Sequence, residues 1–385
     1  MKKILVLLIV SVCAAASLSA DVEFVFGGID QHSEVLGGFL PTYASLGAGF
    51  NGLSLIDGHT TQLDLLVGGG YSQRKVWQNP QTGEVIRTNP LIWDTVRLDW
   101  TVRLSQGFFD STVDGKDLVT LSVGYTGRYD RNIDSFRTGS VRDNNGDDVI
   151  DSLDDYLGGS DYQGSIYPDL RGDRQHLGTA FTASVLIDMM DDQKMYSNGF
   201  EASAEALWAP LALNKALDGV ADYYSLTFNA VGSWSPYSFV EDGNHLFSIT
   251  LIDRFNVNWT DGDEVPVYAQ YPVSLGRKVR GYNSWTYNTQ FTVVNNFDVR
   301  LAGPDWHAIF PRINLFFDAG WGTGNYFNTD LKGDNFLMST GIQVTVSFFD
   351  FIDLGYQVAY LFRGDKFTDG PDVNITGSFT FFLDF

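Results

Sequence analysis

The chain has 385 residues but only one cysteine, Cys13. A disulfide framework is therefore excluded, and beyond that position so are cysteine nucleophiles and thiolate metal sites. Histidine is scarce as well. His32, His59, His176, His245 and His307 are dispersed, with no HExxH and no pair at metal-ligand spacing. Positive charge is in short supply, with 25 Lys and Arg against 47 Asp and Glu. The resulting net charge of −22 disfavours nucleic acid, whose phosphates need basic surface. After residue 20 no apolar run approaches the roughly twenty residues of a spanning helix, and long helix-period segments are missing. Proline is held to 11 residues, whereas glycine reaches 40 and aromatics 15%. That profile leaves a soluble β-sandwich or a membrane β-barrel.

What is present begins with export. Lys2 and Lys3, the apolar run Ile4 to Val12 and the small residues from Ala14 to Ala20 form a secretory signal peptide, 1–20. Its apolar run is too short to span a bilayer. Cleavage is expected after Ala20; a cut after Ser19 is the alternative, because it sets Ser17 and Ser19 at the two small-residue positions. Lipidation of Cys13 is disfavoured by the bulky Val12 before it. The remainder, 21–385, reads as one domain with no periplasmic domain, repeat array or linker ahead of it.

Period-two alternation recurs along that remainder. In 95–104, Val96, Leu98, Trp100, Val102 and Leu104 oppose Thr95, Arg97, Asp99, Thr101 and Arg103. Tyr224, Leu226, Phe228, Ala230 and Trp234 form a second apolar file, and Ile352, Leu354, Tyr356, Val358, Tyr360 and Phe362 a third. These segments run about 10 to 16 residues, whereas strands of globular proteins usually have about 5 or 6. A tilted strand needs roughly 9–11 residues to cross hydrocarbon. Trp208, Trp234, Trp259, Trp285 and Trp321 lie at or near segment ends, where an aromatic girdle belongs. The last file, Ile375 to Phe385, suits a closing strand with a terminal aromatic.

The expected fold is thus a transmembrane antiparallel β-barrel of about fourteen strands (twelve to sixteen) in a bacterial outer membrane. The strands fall at 22–29, 43–56, 60–75, 91–106, 117–130, 175–190, 197–210, 223–236, 244–257, 286–301, 312–320, 336–348, 350–362 and 373–385. With the C-terminus in the periplasm, the long connections 76–90, 131–174, 258–285 and 321–335 all fall outside. The short ones fall inside, as bacterial barrels prefer. Region 22–42 is open to one strand, a hairpin or a short plug.

Local motifs for enzyme chemistry are weak, and no enzyme is expected. Gly47-Ala48-Gly49-Phe50-Asn51-Gly52 matches GxGxxG but sits in an alternating strand with no helix after it. Ser72-Gln73-Arg74-Lys75 matches SxxK without further support, and Arg363-Gly364-Asp365 reads as an outer-loop turn. Segment 143–154 is sharper. Oxygen ligands stand at Asp143, Asn145, Asp147, Asp151 and Asp154, and the Val149 carbonyl could complete a calcium shell of six to eight oxygens. The spacing resembles the calcium loops of EF-hand and dockerin modules, except that Asp148 stands where the turn glycine is usual. The alternative is an acidic solvated loop, since 134–173 holds ten Asp and three Arg. Calcium is thus expected as a non-obligatory ion.

The C-terminal third carries the other signal. Leu275 to Tyr282 includes Val279-Arg280-Gly281-Tyr282 in a long loop. Asn296-Phe297-Asp298-Val299-Arg300 and Phe316-Phe317-Asp318-Ala319-Gly320 follow in the next two strands, and five strands in all succeed the loop. Over about residues 255–385 this resembles the bacterial surface antigen superfamily, the barrels of BamA-type assembly proteins and two-partner secretion transporters. The resemblance implies a loop folded into the lumen, with Arg280 paired to Asp318. Alternation independently turns Asp318 inward with Asn314 and Phe316, and an inward guanidinium needs such a carboxylate. Two departures qualify the likeness: POTRA repeats are not expected ahead of the barrel, and the expected strand number of about fourteen is below the sixteen of that superfamily. It further implies a bilayer-embedded chain with a polypeptide client or periplasmic partner, assisting insertion or translocation. A surface-exposed pore or binding barrel with a calcium loop is the alternative.

Overall fold

The computed structural model describes Asp21 to Leu383, apart from residues 28–42, 54, 78, 84–89, 114, 136–140, 143–147, 151, 158, 160–162, 242–243, 271–273, 283–286, 288, 307, 325–334, 350–351 and 366–372. The expected signal peptide, Trp285 and Phe385 lie outside the described residues. So do Asp143, Asn145, Asp147 and Asp151.

Fourteen long strands are found among the described residues. They are β1 (Asp21–Gly27), β2 (Tyr43–Leu53), β3 (Thr61–Val76), β4 (Leu91–Asp110), β5 (Asp117–Ile133), β6 (Gln175–Asp188) and β7 (Ser197–Ala209). They continue with β8 (Asp222–Glu241), β9 (Asn244–Glu264), β10 (Phe291–Ala302), β11 (Ile309–Thr323), β12 (Phe336–Phe348), β13 (Ile352–Asp365) and β14 (Val373–Leu383). Each pairs antiparallel with its sequence neighbour, an up-and-down meander from β1 to β14. The protein is a β-barrel. No helix among the described residues is long and apolar enough to cross a membrane. The helical pieces are single turns: α1 (Leu153–Leu157), α2 (Leu211–Lys215), α3 (Val267–Gln270) and α4 (Leu275–Lys278).

Alternation sorts the wall into two surfaces. Outward stand Leu46, Val67, Leu98, Val123, Phe228 and Leu315, with Trp234 and Phe379 each 60% exposed. Inward and buried stand Thr95, Asp130, Asn132, Thr250, Asn258, Thr292, Asp298 and Asp318. A soluble sandwich would hide the apolar set. Here it forms a continuous exposed band far larger than the apolar patches of soluble monomers, and the polar set faces the interior.

Several expectations need correction. β4, β8 and β9 run to 20, 20 and 21 residues, longer than expected. The added residues still pair, which alternation alone does not signal. The strand expected from 286 starts at Phe291, because Tyr287 takes a positive φ of 55° and belongs to the preceding loop. Arg363-Gly364-Asp365 is no outer turn: it ends β13, and Asp365 is buried. Within β3, Ser72 and Lys75 are three residues apart and so face opposite sides, which dissolves the SxxK pairing. The turn between β6 and β7 is compact but not peripheral. Met195 packs with Ala302 and Phe310, and Lys194 pairs with Asp305 at 2.8 Å, so this segment reaches beneath β8 and β9 to β10 and β11.

Candidate functional site

The loop between β9 and β10, residues 265–290, crosses the interior and touches opposite walls. At its start Pro266, Val267 and Tyr268 open α3. Val267 packs in a core with Trp93, Leu153, Tyr167 and Leu170, and its N–H donates to Asp169 Oδ1 at 3.2 Å. The Tyr268 ring receives the Arg128 guanidinium at 4.5 Å, and its hydroxyl lies 3.3 Å from His176 Nε2. Arg171 clasps Glu264 at the loop's root with a 2.7 Å ion pair. Leu153, Tyr167, Asp169, Leu170 and Arg171, from the connection between β5 and β6, therefore pack against this end of the loop. Burial pushes the Asp169 carboxyl up to about 6, the Val267 N–H opposes the rise and Asp130 adds to it.

The far end of the loop seats against β10 to β14. Leu275 and Val279 are fully buried in a core with Trp77, Tyr282, Tyr287, Val294, Phe316, Leu337 and Leu361. Trp77 follows β3, so this core joins the two ends of the meander across the interior. The Arg280 N–H donates to Asp318 Oδ2 at 2.9 Å, its Nε to the same oxygen at 2.8 Å, and its Nη2 to Oδ1 at 2.6 Å. Nη1 sits 2.7 Å from Asp298 Oδ1, and Arg254 pairs with the other oxygen of that carboxylate. Burial works against the Arg280 charge, but the Asp318 hydrogen bonds and the two carboxylates outweigh it and raise its pKa. Lys278, buried beside Arg277, is instead pushed down to about 8.

Gly281 makes this seating sterically feasible. Its φ is +94°, and a Cβ there would lie 2.5 Å from Ala359 Cβ and 2.8 Å from Leu361 Cδ2. Thr376 Oγ1 donates to the Gly281 carbonyl at 3.0 Å. The Tyr282 hydroxyl lies 2.8 Å from the Arg363 carbonyl, and the Tyr287 hydroxyl donates to Asp365 at 3.1 Å. Below the loop a cavity of about 360 Å³ is lined by Thr101, Arg128, Glu205, Tyr223, Asn258 and Tyr268.

Of the residues singled out from sequence, the structure thus brings together Val279, Arg280, Gly281, Tyr282 and Asp318. It adds three that the sequence reading did not assign a role: Asp298, Gly320 and Tyr268. Asp298 is signalled by its inward position in Asn296-Phe297-Asp298. Gly320 ends the aromatic-Asp run, and a Cβ there would meet Val279 at 2.8 Å and Leu275 at 2.9 Å. Tyr268 carries no sequence signal. In the acidic segment, Val149 lies in a short strand, Asp148–Ile150, paired with 141–142. Asp154 forms an ion pair with Arg174. Among the described residues no group of three metal-ligating side chains occurs.

No protein-family model and no curated protein matches the sequence. Solved structures with a similar fold include BamA from Haemophilus ducreyi lacking POTRA domains 1-3, at 11% identity and a TM-score of 0.48. That match covers 89% of this chain and 62% of that one. CdiB from Acinetobacter baumannii is similar at 11% identity and a TM-score of 0.47, with 89% and 50% covered. A bacterial polysaccharide outer membrane secretin follows at 12% and 0.34, with 94% and 97% covered. The chain spans about six-tenths of the first structure's length and half of the second's.

Proposed function

We propose that this chain is an integral outer-membrane barrel that assists insertion or translocation of a polypeptide, with the 265–290 loop as its internal gate. The observation that carries the reading is the seat of Arg280. Three hydrogen bonds to a fully buried Asp318, with Asp298 as second carboxylate, hold a loop across the interior. A passive solute pore gains nothing from so firmly fixed an obstruction, whereas a conduit opened only by its client does. The resemblance carried by Val279 to Tyr282 and Asp318 points the same way. The exposed apolar band supports residence in a bilayer, and a polypeptide client or periplasmic partner would supply the specificity.

Reconstitution into liposomes tests this. Vesicles carrying the barrel should speed the folding of a second, unrelated outer-membrane barrel several-fold over empty vesicles. Planar-bilayer recordings should show little steady conductance. Large, steady conductance with no effect on the client would favour the pore reading and remove this one.

A further inference from the structure

The outward face of β9 holds a charge in the wrong place. Its outward file runs from the half-buried Phe247 and Leu251 to the exposed Phe255 and Trp259, and Asp253, itself exposed, lies midway between Phe247 and Trp259. At ~3.3 Å per residue and a tilt of about 40°, that stretch covers about 30 Å, the thickness of a bilayer's hydrocarbon. Asp253 therefore sits near mid-depth. It faces outward with Phe297 of β10, its register partner, which is itself exposed. Asn295 Nδ2 donates to its carboxylate at 2.7 Å, and among the described residues no cation pairs with it. A neutral amide leaves the charge uncompensated.

The wall is also recessed there. Gly232 of β8 stands opposite Asp253, and nothing lies within 4 Å of where its Cβ would be. Ala230 opposes Phe255, and Ala319 opposes Asn295. A strand facing hydrocarbon would take a leucine at 253 without cost. An ionisable residue within the membrane usually marks an interaction, because lipid cannot solvate it. We propose that Asp253 and Asn295 form a docking point within the bilayer for a separate membrane-spanning segment that carries a Lys or Arg at mid-depth. Charge selects this occupant. A two-fold copy of the chain would bring two Asp253 carboxylates together, and acyl chains offer no donor. The inference rests on the reading of the chain as a membrane barrel, and extends it by naming a lateral partner's chemistry.

The test uses the full barrel in phosphatidylcholine liposomes, fluorescently labelled, with a synthetic polyleucine helix bearing one central lysine or none. Energy transfer should report association about tenfold stronger for the lysine helix, in line with about 1.4 kcal/mol. Asp253→Leu should still insert and should abolish the difference; Asp253→Asn should keep only a fraction of it. Equal association of both helices with the wild-type barrel overturns the proposal. So does a difference that survives Asp253→Leu, or barrel–barrel transfer that Asp253→Leu removes. A wild-type barrel that fails to insert takes down the membrane reading itself, and this inference with it; insertion without discrimination removes this inference alone.

Discussion

The Arg280 guanidinium lies 4.0 Å from the centroid of the Phe316 ring while its nitrogens face the Asp318 carboxylate. Both partners sit on one inward face of β11, two residues apart, so a single strand offers a flat apolar surface and a fork-shaped acceptor together. A planar cation fits both at once; an ammonium point charge fits neither as well.

Arg280→Lys is therefore expected to retain less than half of the seat's stabilisation although the charge is kept. The readout is protease cleavage within 265–290 on the folded barrel, compared with wild type and Arg280→Ala. Cleavage of the lysine variant at the wild-type rate would show that charge alone holds the loop.

Removing either member of the pair should destabilise the barrel by about 2 kcal/mol, roughly half of the 3–5 kcal/mol typical of a broken buried pair, because the interior is partly wet. Arg280→Ala, Asp318→Ala and the double variant, unfolded in denaturant, should form a sub-additive cycle. Asp298, still shared with Arg254, should moderate the Asp318→Ala loss. Strict additivity removes the pairing as an energetic unit.

Gly281→Ala should unseat the loop and leave the wall intact. The added methyl meets Ala359, Leu361 and Thr376 at a φ that L-residues avoid. Planar-bilayer conductance should rise while the strand content by circular dichroism is unchanged. A closed, wild-type-like channel would show that the loop tip tolerates the displacement.

The Asp169 contact should make loop seating depend on pH. Its carboxyl pKa is raised by burial to about 6, so the folded state favours the protonated acid. The stability this group contributes is fully present below the ordinary carboxylate range and is lost as pH rises from about 4 through about 6, by about 3 kcal/mol. Asp169→Asn mimics the neutral acid and still accepts the Val267 N–H. Its unfolding midpoint should vary less across that window than the wild type's; identical slopes for the two proteins count against the assignment.

The acidic segment 143–154 is expected to bind calcium at about 10⁻⁴–10⁻³ M, the range of external calcium modules. Calorimetric titration of the refolded barrel should show heat that Asp147→Ala abolishes. Arg174→Ala should tighten binding, since Arg174 holds Asp154. Heat unaltered by Asp147→Ala ends the expectation.

Period-two files such as Val96 to Leu104 made the wall legible, because a strand with one face in an apolar medium must alternate. The strands from β2 to β14 could be placed on that ground and Asp318 could be turned inward, while 22–42 stayed open between a strand, a hairpin and a plug. Strand ends were less legible: Arg363 and Asp365 look like turn residues, yet Tyr282 and Tyr287 bind them from the loop and keep β13 paired. Tyr268 was illegible altogether. Its partners Arg128 and His176 lie 140 and 92 residues away in sequence, and only the folded interior brings the three side chains together.

The loop's two seats have a mechanical consequence. Residues 265–290 are tied covalently to β9 and β10, pinned through Tyr268 to β5 and β6, and pinned through Arg280 and Gly281 to β11, β13 and β14. They act as a strut across the cylinder. An empty tube of this girth could flatten to an ellipse at little cost, since its strands slide and hinge locally. A braced one cannot, because shortening one diameter lengthens another and pulls on a pin. Its cross-section and the strut's occupancy become one variable, so anything that stretches the wall on one side is felt at the Arg280 seat on the other.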